Sequence, residues 1–324
     1  MTENDSAPKI PLSLPQKVLY GFLYAFLYLH SLLPMRVLYV LSDILYLLVY
    51  RVVGYRRKLV RKNMADCFPE RSREELLKAE REFYHWFCDY IVETIKLTTI
   101  SEDEMRRRMK FEGLEEFESA VAQGKSCTVY LGHFCNWEWV SSIGVHLPSG
   151  AYAGQIYHEL ESPALNNLFL KIRGRFKVNN IRMDKTFQTL HMMKGEGRPV
   201  LVGYISDQAP GFNDMHCWPW FLNHDTPVYT GPEKMARLMH TPVFYLDITR
   251  PQRGYYVGRV VKICDDASQT ENFFPTLEFF RLLEDSIKRN PGLWLWSHNR
   301  WKRTREQFNA HFTEEQRKRI LARP

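Results

Sequence analysis

The sequence has few of the marks of a secreted or metal-built protein. Its six cysteines, Cys67, Cys88, Cys127, Cys135, Cys217 and Cys264, form no C-x-x-C and no paired spacing. Zinc sites and disulfide frameworks usually announce themselves by such spacing, so these read as reduced thiols of a cytosolic compartment, with no metal centre and no cofactor. Past residue 15 there is no internal repeat and no low-complexity linker. Charge is absent from one whole stretch: the eighteen residues from Val18 to Met35 hold no Asp, Glu, Lys or Arg. No small-residue cleavage site follows that stretch, which argues against a secretory signal.

What is present describes a globular protein with ample core, one large or two small domains in 324 residues. Aromatics are plentiful, with 17 Tyr, 20 Phe and 8 Trp, and these gather in cores, at interfaces and at lipid headgroup level. A net charge of +7 suits an acidic partner: anionic lipid, nucleic acid or a small acidic protein. The uncharged stretch is bracketed by Lys17 and Arg36, and a second apolar run, Val37 to Tyr50, is broken only by Ser42-Asp43. Arg51, Arg56, Arg57, Lys58, Arg61 and Lys62 follow. Length, aromatics and basic flank favour a membrane-anchoring arm over residues 16–62, spanning or lying in the interface, rather than two buried helices. Residues 1–15 are expected to be a flexible N-terminus.

Beyond the arm, residues 63–324 predict one α/β domain. Residues 70–110 read as helix, opened by a capping box from Ser72 to Glu75. Past residue 124, β-rich runs recur at 126–131, 200–205, 243–249 and 255–263, with helical stretches between them. One helix is expected from an N-cap at Asp184 to Gly195, and another from Thr230-Gly231-Pro232-Glu233. The alternation predicts a mixed, largely parallel sheet flanked by helices, with a closing hairpin across residues 250–254.

The stretch CTVYLGHFCNWEWV, residues 127–140, carries the pattern with most chemistry. Gly132 and His133 follow a strand-like run, at the strand end where open α/β sheets bind ligands. His133 and Glu138 are five residues apart, which in one helix turns them roughly 140° from each other. They meet only if His133 lies in a turn and Glu138 one turn into a helix. Asn136 is then a natural cap, and free N–H groups at that helix start suit a developing anion. Such an imidazole can take a proton from a hydroxyl while the carboxylate fixes its tautomer, and no covalent nucleophile is needed. On spacing alone, a histidine merely satisfied at a helix start is an equal reading, and Tyr130, Phe134, Trp137 and Trp139 read as core.

Three further stretches bear on it. Asp207-Gln208 ends another strand run with a carboxylate, and Arg173-Gly174-Arg175 lies in a basic helix–loop between the two. Residues 293–302, LWLWSHNRWK, alternate like a strand edge, and His298 there reads as structural.

Taken in order, these stretches resemble the bacterial lipid A late acyltransferases. His133-x4-Glu138 matches their H-x4-E signature; Arg56-Arg57, Asn63 and Phe68-Pro69-Glu70 match the segment after the anchor. Arg173-x-Arg175-Phe176, Asp207-Gln208, Pro227-x4-Pro232-x3-Ala236-Arg237-Leu238 and Pro291-x2-Trp294-x-Trp296-x-His298-x-Arg300-x-Lys302 complete the series. Two departures stand out: Cys135 occupies a position where the family usually carries Gly, and Ala-Pro-Gly follows Gln208 in place of an acidic residue and Gly. The resemblance implies transfer of a fatty acyl chain from acyl carrier protein, or coenzyme A, to a hydroxyl of a lipid A precursor. It implies His133 as base with Glu138 as partner and Asp207 as a second carboxylate, with Asn136, Arg173, Arg175 and Gln208 binding substrate. The partners would be the acidic carrier, a membrane glycolipid and an anionic bilayer, not nucleic acid. The place implied is the cytoplasmic side of the bacterial inner membrane. Another lipid acceptor, or a non-catalytic lipid-binding protein, are the alternatives.

Overall fold

The computed structural model describes residues 9–147 and 152–322; the first eight residues of the expected flexible N-terminus lie outside them. Twelve α-helices are described: α1 (Leu14–Ser31), α2 (Met35–Tyr46), α3 (Arg57–Cys67), α4 (Arg73–Lys96), α5 (Glu102–Arg108), α6 (Leu114–Ala122), α7 (Pro163–Arg173), α8 (Thr186–Gly195), α9 (Gly231–Met239), α10 (Phe274–Arg289), α11 (Arg305–His311) and α12 (Glu314–Leu321). The strands are β1 (Met109–Glu112), β2 (Cys127–Leu131), β3 (Tyr152–Tyr157), β4 (Val178–Arg182), β5 (Val200–Ile205), β6 (Trp220–Phe221), β7 (His224–Asp225), β8 (Val243–Gln252) and β9 (Tyr255–Cys264). Seven form one sheet in the order β1-β9-β8-β2-β5-β3-β4, parallel throughout except for the β8–β9 hairpin. This is the mixed, largely parallel α/β class expected. β6 and β7 make a separate small hairpin.

The four expected strands and the hairpin across 250–254 are present; β1, β3 and β4 were not foreseen. β3 and β4 have little apolar run to betray them, and the amides of the buried asparagines of β4 donate to nearby carbonyls. Asn179 donates to the Ala153 carbonyl at 3.2 Å and Asn180 to that of Leu170 at 3.1 Å. The stretch 70–110 divides into α4, opened by the Ser72–Glu75 box, and α5. Two expected caps are not used. Asp184 pairs with Arg182 at 2.6 Å, and Thr230 makes no side-chain cap.

The arm is knit to the domain. Leu38, Ser42, Tyr46 and Tyr50, spaced four apart, are buried under α2 and the π-helical turn Leu47–Val53 that continues it. Ser42 donates to Asp89 at 2.7 Å, and Arg253 from the hairpin tip bridges Asp89 and Asp43 at 2.6 Å each. The opposite face is apolar and exposed: Leu14, Val18, Phe22 and Leu29 on α1, then Val40, Ile44 and Leu47. The chain bends by 114° between the two helical segments, and among the described residues no single helix is long and apolar enough to cross a membrane.

Candidate active site

The register of the sheet makes the site. β2 pairs with β5 in parallel from Cys127↔Leu201 to Leu131↔Ile205, so every β2 residue faces the one numbered 74 higher. Extended two residues past the ladder, the same offset sets His133 beside Asp207. The Asp207 carboxylate holds the histidine twice: Oδ2 accepts from the His133 backbone N–H at 2.9 Å and Oδ1 lies 2.6 Å from Nδ1. Trp294 Nε1 donates to Oδ2 at 2.7 Å. Burial alone would raise the Asp207 pKa, but the imidazole and these donors outweigh it and hold it at about 2. An ionised Asp207 fixes the proton on Nδ1 and turns the Nε2 lone pair outward. Gln208 Nε2 lies 3.2 Å from that Nε2. Gly132 sits close to its neighbours: a Cβ there would lie 2.7 Å from Leu283 Cδ1, so that side chain would have to shift to admit one.

Glu138 does not hold the imidazole. The chain does turn between His133 and Glu138 as expected, but the helix that follows is 3-10, Trp139–Val145, and Glu138 is claimed by Arg173. Arg173 Nε donates to Oε2 at 2.8 Å, its Nη2 to Oε1, and Tyr90 adds a longer bond of 3.4 Å. Burial would raise the Glu138 pKa, yet the guanidinium pulls it below the usual range. In this structure the imidazole is bonded to Asp207, and Glu138 to Arg173.

The other expected site residues divide. Gln208 and Arg173 line the same cavity as His133 and Glu138. Asn136 is buried and caps the 3-10 helix, accepting from the Trp139 N–H at 3.0 Å. Its amide donates to Glu93 at 2.6 Å, so both ends of the side chain are bonded within the turn and its support. Arg175 is spent on the carbonyls of Leu97 and Ile100, tying the end of α4 to the loop after α7. The N–H groups expected to be free at the helix start are partly taken, Cys135 N by Leu293 O at 2.8 Å and Trp139 N by Asn136. His298 accepts from the Ala209 N–H at 3.4 Å, and burial pushes its pKa down to about 4, which fits the structural reading.

From His133 a cavity of about 570 Å³ runs along the sheet, lined mainly by apolar groups such as Val129, Val140, Ile156 and Leu201, with Met183 and Phe187 at its exposed rim. Gly154 and Gly203 give it room in the strands. That size and lining suit a hydrocarbon chain with one polar end at the histidine.

The profile of the family described as bacterial lipid A biosynthesis acyltransferase matches residues 8–303. The chain belongs to this family. Among its relatives are the lipid A biosynthesis lauroyltransferase of Escherichia coli (strain K12), 24% identical over 83% of this chain and 87% of the relative. The palmitoleoyltransferase of the same organism is 24% identical over 76% and 79%, and a lipid A biosynthesis acyltransferase of Haemophilus influenzae is 22% identical over 77% and 79%. The protein is an acyltransferase.

In this acyltransferase the residues that sequence reasoning missed are supports. Glu93 receives Tyr39, Tyr256 and Asn136 at 2.8, 2.7 and 2.6 Å, and its burial raises its pKa to about 7. Trp294 was visible only as one aromatic of the closing motif. That motif is not a strand: it makes a single bridge, Trp294 to Phe134, and is gripped by the segment after the arm. Arg56 donates to Ser297 O at 2.8 Å and Asn63 to Trp296 O at 3.1 Å. Cys135 has φ +53°, the left-handed region that costs glycine nothing, so the family's usual Gly there has a backbone reason. Its thiol is buried, bonded to Ile248 O at 3.4 Å.

Proposed function

We propose that this protein transfers a fatty acyl chain from an acyl carrier protein thioester to a hydroxyl of a membrane-bound lipid A precursor, with His133 as general base and Asp207 as its partner. One observation carries the reading: an imidazole with its Nε2 lone pair outward stands at the polar end of an apolar, chain-sized cavity. His133 Nε2 takes the hydroxyl proton as the oxygen attacks the thioester carbonyl, where Gln208 now meets the ring. The tetrahedral intermediate collapses by breaking the C–S bond, and the imidazolium returns the proton to the leaving thiolate. The hydroxyl is the demanding partner, because a thiolate leaves readily from a thiol with pKa near about 8.5. Transfer is direct, with no acyl-enzyme. Glu138 keeps Arg173 placed and charged beside the cavity, where Nη1, which takes no part in their pair, can meet the thioester oxygen or the acceptor's phosphate.

The exposed apolar face of α1 and α2, with the basic residues 51–62 behind it, supports docking in the plane of an anionic bilayer on the cytoplasmic side. The positive surface suits an acidic carrier protein. Mass spectrometry of lipids incubated with the enzyme and lauroyl acyl carrier protein tests the reading. A lipid A precursor that gains one acyl mass supports it. Acyl mass appearing instead on another lipid moves the acceptor, and free fatty acid as the sole product overturns transfer.

A further inference from the structure

The cavity that begins at His133 lies on both faces of the sheet. Side chains alternate along β3 and β5, and their register places Gln155, Leu201 and Gly203 on one face, Ile156 and Tyr204 on the other. The first face packs under the 3-10 helix and α7. Leu201 shares a core there with Val140 and Ile143, and Gln155 Nε2 lies 3.5 Å from the Arg173 carbonyl. The second face packs under α8 and α9, where Ile156 and Tyr204 share a core with Leu190, Met193 and Met235. Residues of both faces line the one cavity, Val140, Ile143 and Leu201 on one side and Ile156, Tyr204 and Met235 on the other. Each face also carries a glycine. A Cβ on Gly203 would meet Leu131 Cδ1 at 3.2 Å, and one on Gly154 would meet Ile181 Cδ1 at 2.7 Å.

The two arms differ in access. Val140, Ile143 and Leu201 are buried, so the first arm is enclosed. The second reaches the surface at the start of α8, where Met183 and Phe187 are 52% and 50% exposed. Between the arms lie hydrogen-bonded strands about 4.8 Å apart, too close for a hydrocarbon to pass. One extended chain therefore fills one arm, and can enter the other only by doubling back over the ends of β3 and β5. A cavity of this form suits two chains that meet before one histidine. A thioester brings the first of them, and a lipid acceptor has chains of its own.

We propose that the arm under α8 and α9 is a second hydrocarbon subsite that seats one chain of the acceptor lipid, while the enclosed arm takes the chain being transferred. A chain on a carrier protein is single and threads end-on into a closed arm, leaving its thioester at His133. A membrane lipid keeps its other chains in the bilayer, so it needs an arm open to the surface into which one chain can bend. Met183 and Phe187, apolar yet half exposed, form the threshold that this chain crosses. Met235, Ile156 and Tyr204 then cover it on the inside.

The inference rests on the acyl-transfer reading, and the test separates the two. A fatty acyl carrier protein and a lipid A precursor, each with a diazirine at the methyl end of one chain, are bound in turn to the natural chain and to His133→Ala. After irradiation the labelled peptides are mapped by mass spectrometry. The donor should label residues 140–143, and the acceptor Met183, Phe187 or Met235. Phe187→Asp, at a half-exposed position that the fold tolerates, and Met235→Trp should each raise the acceptor KM about tenfold, the worth of roughly two buried methylenes, and the donor KM less than about twofold. An acceptor label at 140–143, a donor label in both arms of His133→Ala, or an acceptor KM unmoved by Phe187→Asp overturns the proposal. So does a precursor that the natural chain acylates but whose label misses α8 and α9. A precursor that gains no acyl mass overturns the transfer reading and the subsite together. An active His133→Ala defeats only the base assignment, since labelling requires binding without turnover.

Discussion

Asp207 ends a straight strand and spends both oxygens on a histidine and an indole; Glu138 lies in an irregular turn and spends both on a guanidinium. The two carboxylates are equally buried, at 2% and 5% exposure, and both are held ionised. What differs is the partner, and the partner decides the work. A carboxylate on a neutral imidazole fixes a tautomer and is ready to stabilise the imidazolium. A carboxylate on an arginine is already neutralised and mainly keeps that arginine in place. Proximity to His133 is shared; only one of them has acceptor capacity turned toward it.

The comparison breaks most visibly in turnover. Asp207→Asn should lower kcat by about two to four orders of magnitude, as His133→Ala should, because the amide can present its N–H to Nδ1 and turn the proton to Nε2. Glu138→Gln should cost less in kcat than Asp207→Asn when both are assayed with the same thioester. A Glu138→Gln enzyme as inactive as Asp207→Asn would return the orienting role to Glu138.

In stability the order reverses. Glu138→Ala leaves Arg173 without its counter-charge, and breaking such a pair costs about 3–5 kcal/mol when both members are dry. Arg173 is 27% exposed at its side chain, so the loss in urea unfolding is expected near the lower end. The double variant Glu138→Leu/Arg173→Met should regain much of it while remaining poorly active. If the double variant is no more stable than Glu138→Ala, the pair is not what holds the turn.

Acid sharpens the comparison further. Asp207 has a folded pKa of about 2 against about 3.9 unfolded. A depressed carboxylate contributes stability that is fully present above about pH 4 and is lost as the pH falls through 2, on the order of 2 kcal/mol here. Asp207→Asn should flatten the stability profile below pH 4. Glu93 has the opposite sign: its pKa is raised to about 7, so stability falls as pH climbs from about 4.3 toward 7. Glu93→Gln should remove that second slope and leave the first, which unfolding curves across the pH range would resolve.

The sequence carried the two strand ends but not their adjacency. Cys127–Leu131 and Val200–Ile205 were readable as apolar, β-branched runs, and a His or Asp two residues past each was readable as a candidate. Which strands are neighbours, and with what offset, depends on β3 and β8 packing either side, and no local pattern encodes that. The contact of His133 with Asp207 is therefore a product of register, while Glu138, nearer in sequence, is bonded to Arg173 instead. The bonds of Arg175 and Asn136 were hidden for a related reason. Their residue types suit substrate binding, but carbonyls at the end of α4 and the buried Glu93 reach them first. The apolar runs of α1 and α2 were legible because they lack charge and are flanked by Lys and Arg.

The turn itself holds the smallest difference between the two carboxylates. Asp207 follows regular strand, whereas the route to Glu138 passes through Cys135 in the left-handed region. A non-glycine residue there costs on the order of 1 kcal/mol, and the buried thiol offsets this by filling its site and bonding Ile248 O. Cys135→Gly should relieve the backbone and leave a small void, two effects of similar size and opposite sign. The expected change in melting temperature is thus within a few degrees, with kcat nearly unchanged. Cys135→Ala removes the thiol but keeps the strain, so it should be the less stable of the two. If Cys135→Ala proves the more stable, the backbone strain at φ +53° is smaller than the cost of the glycine's void and chain entropy.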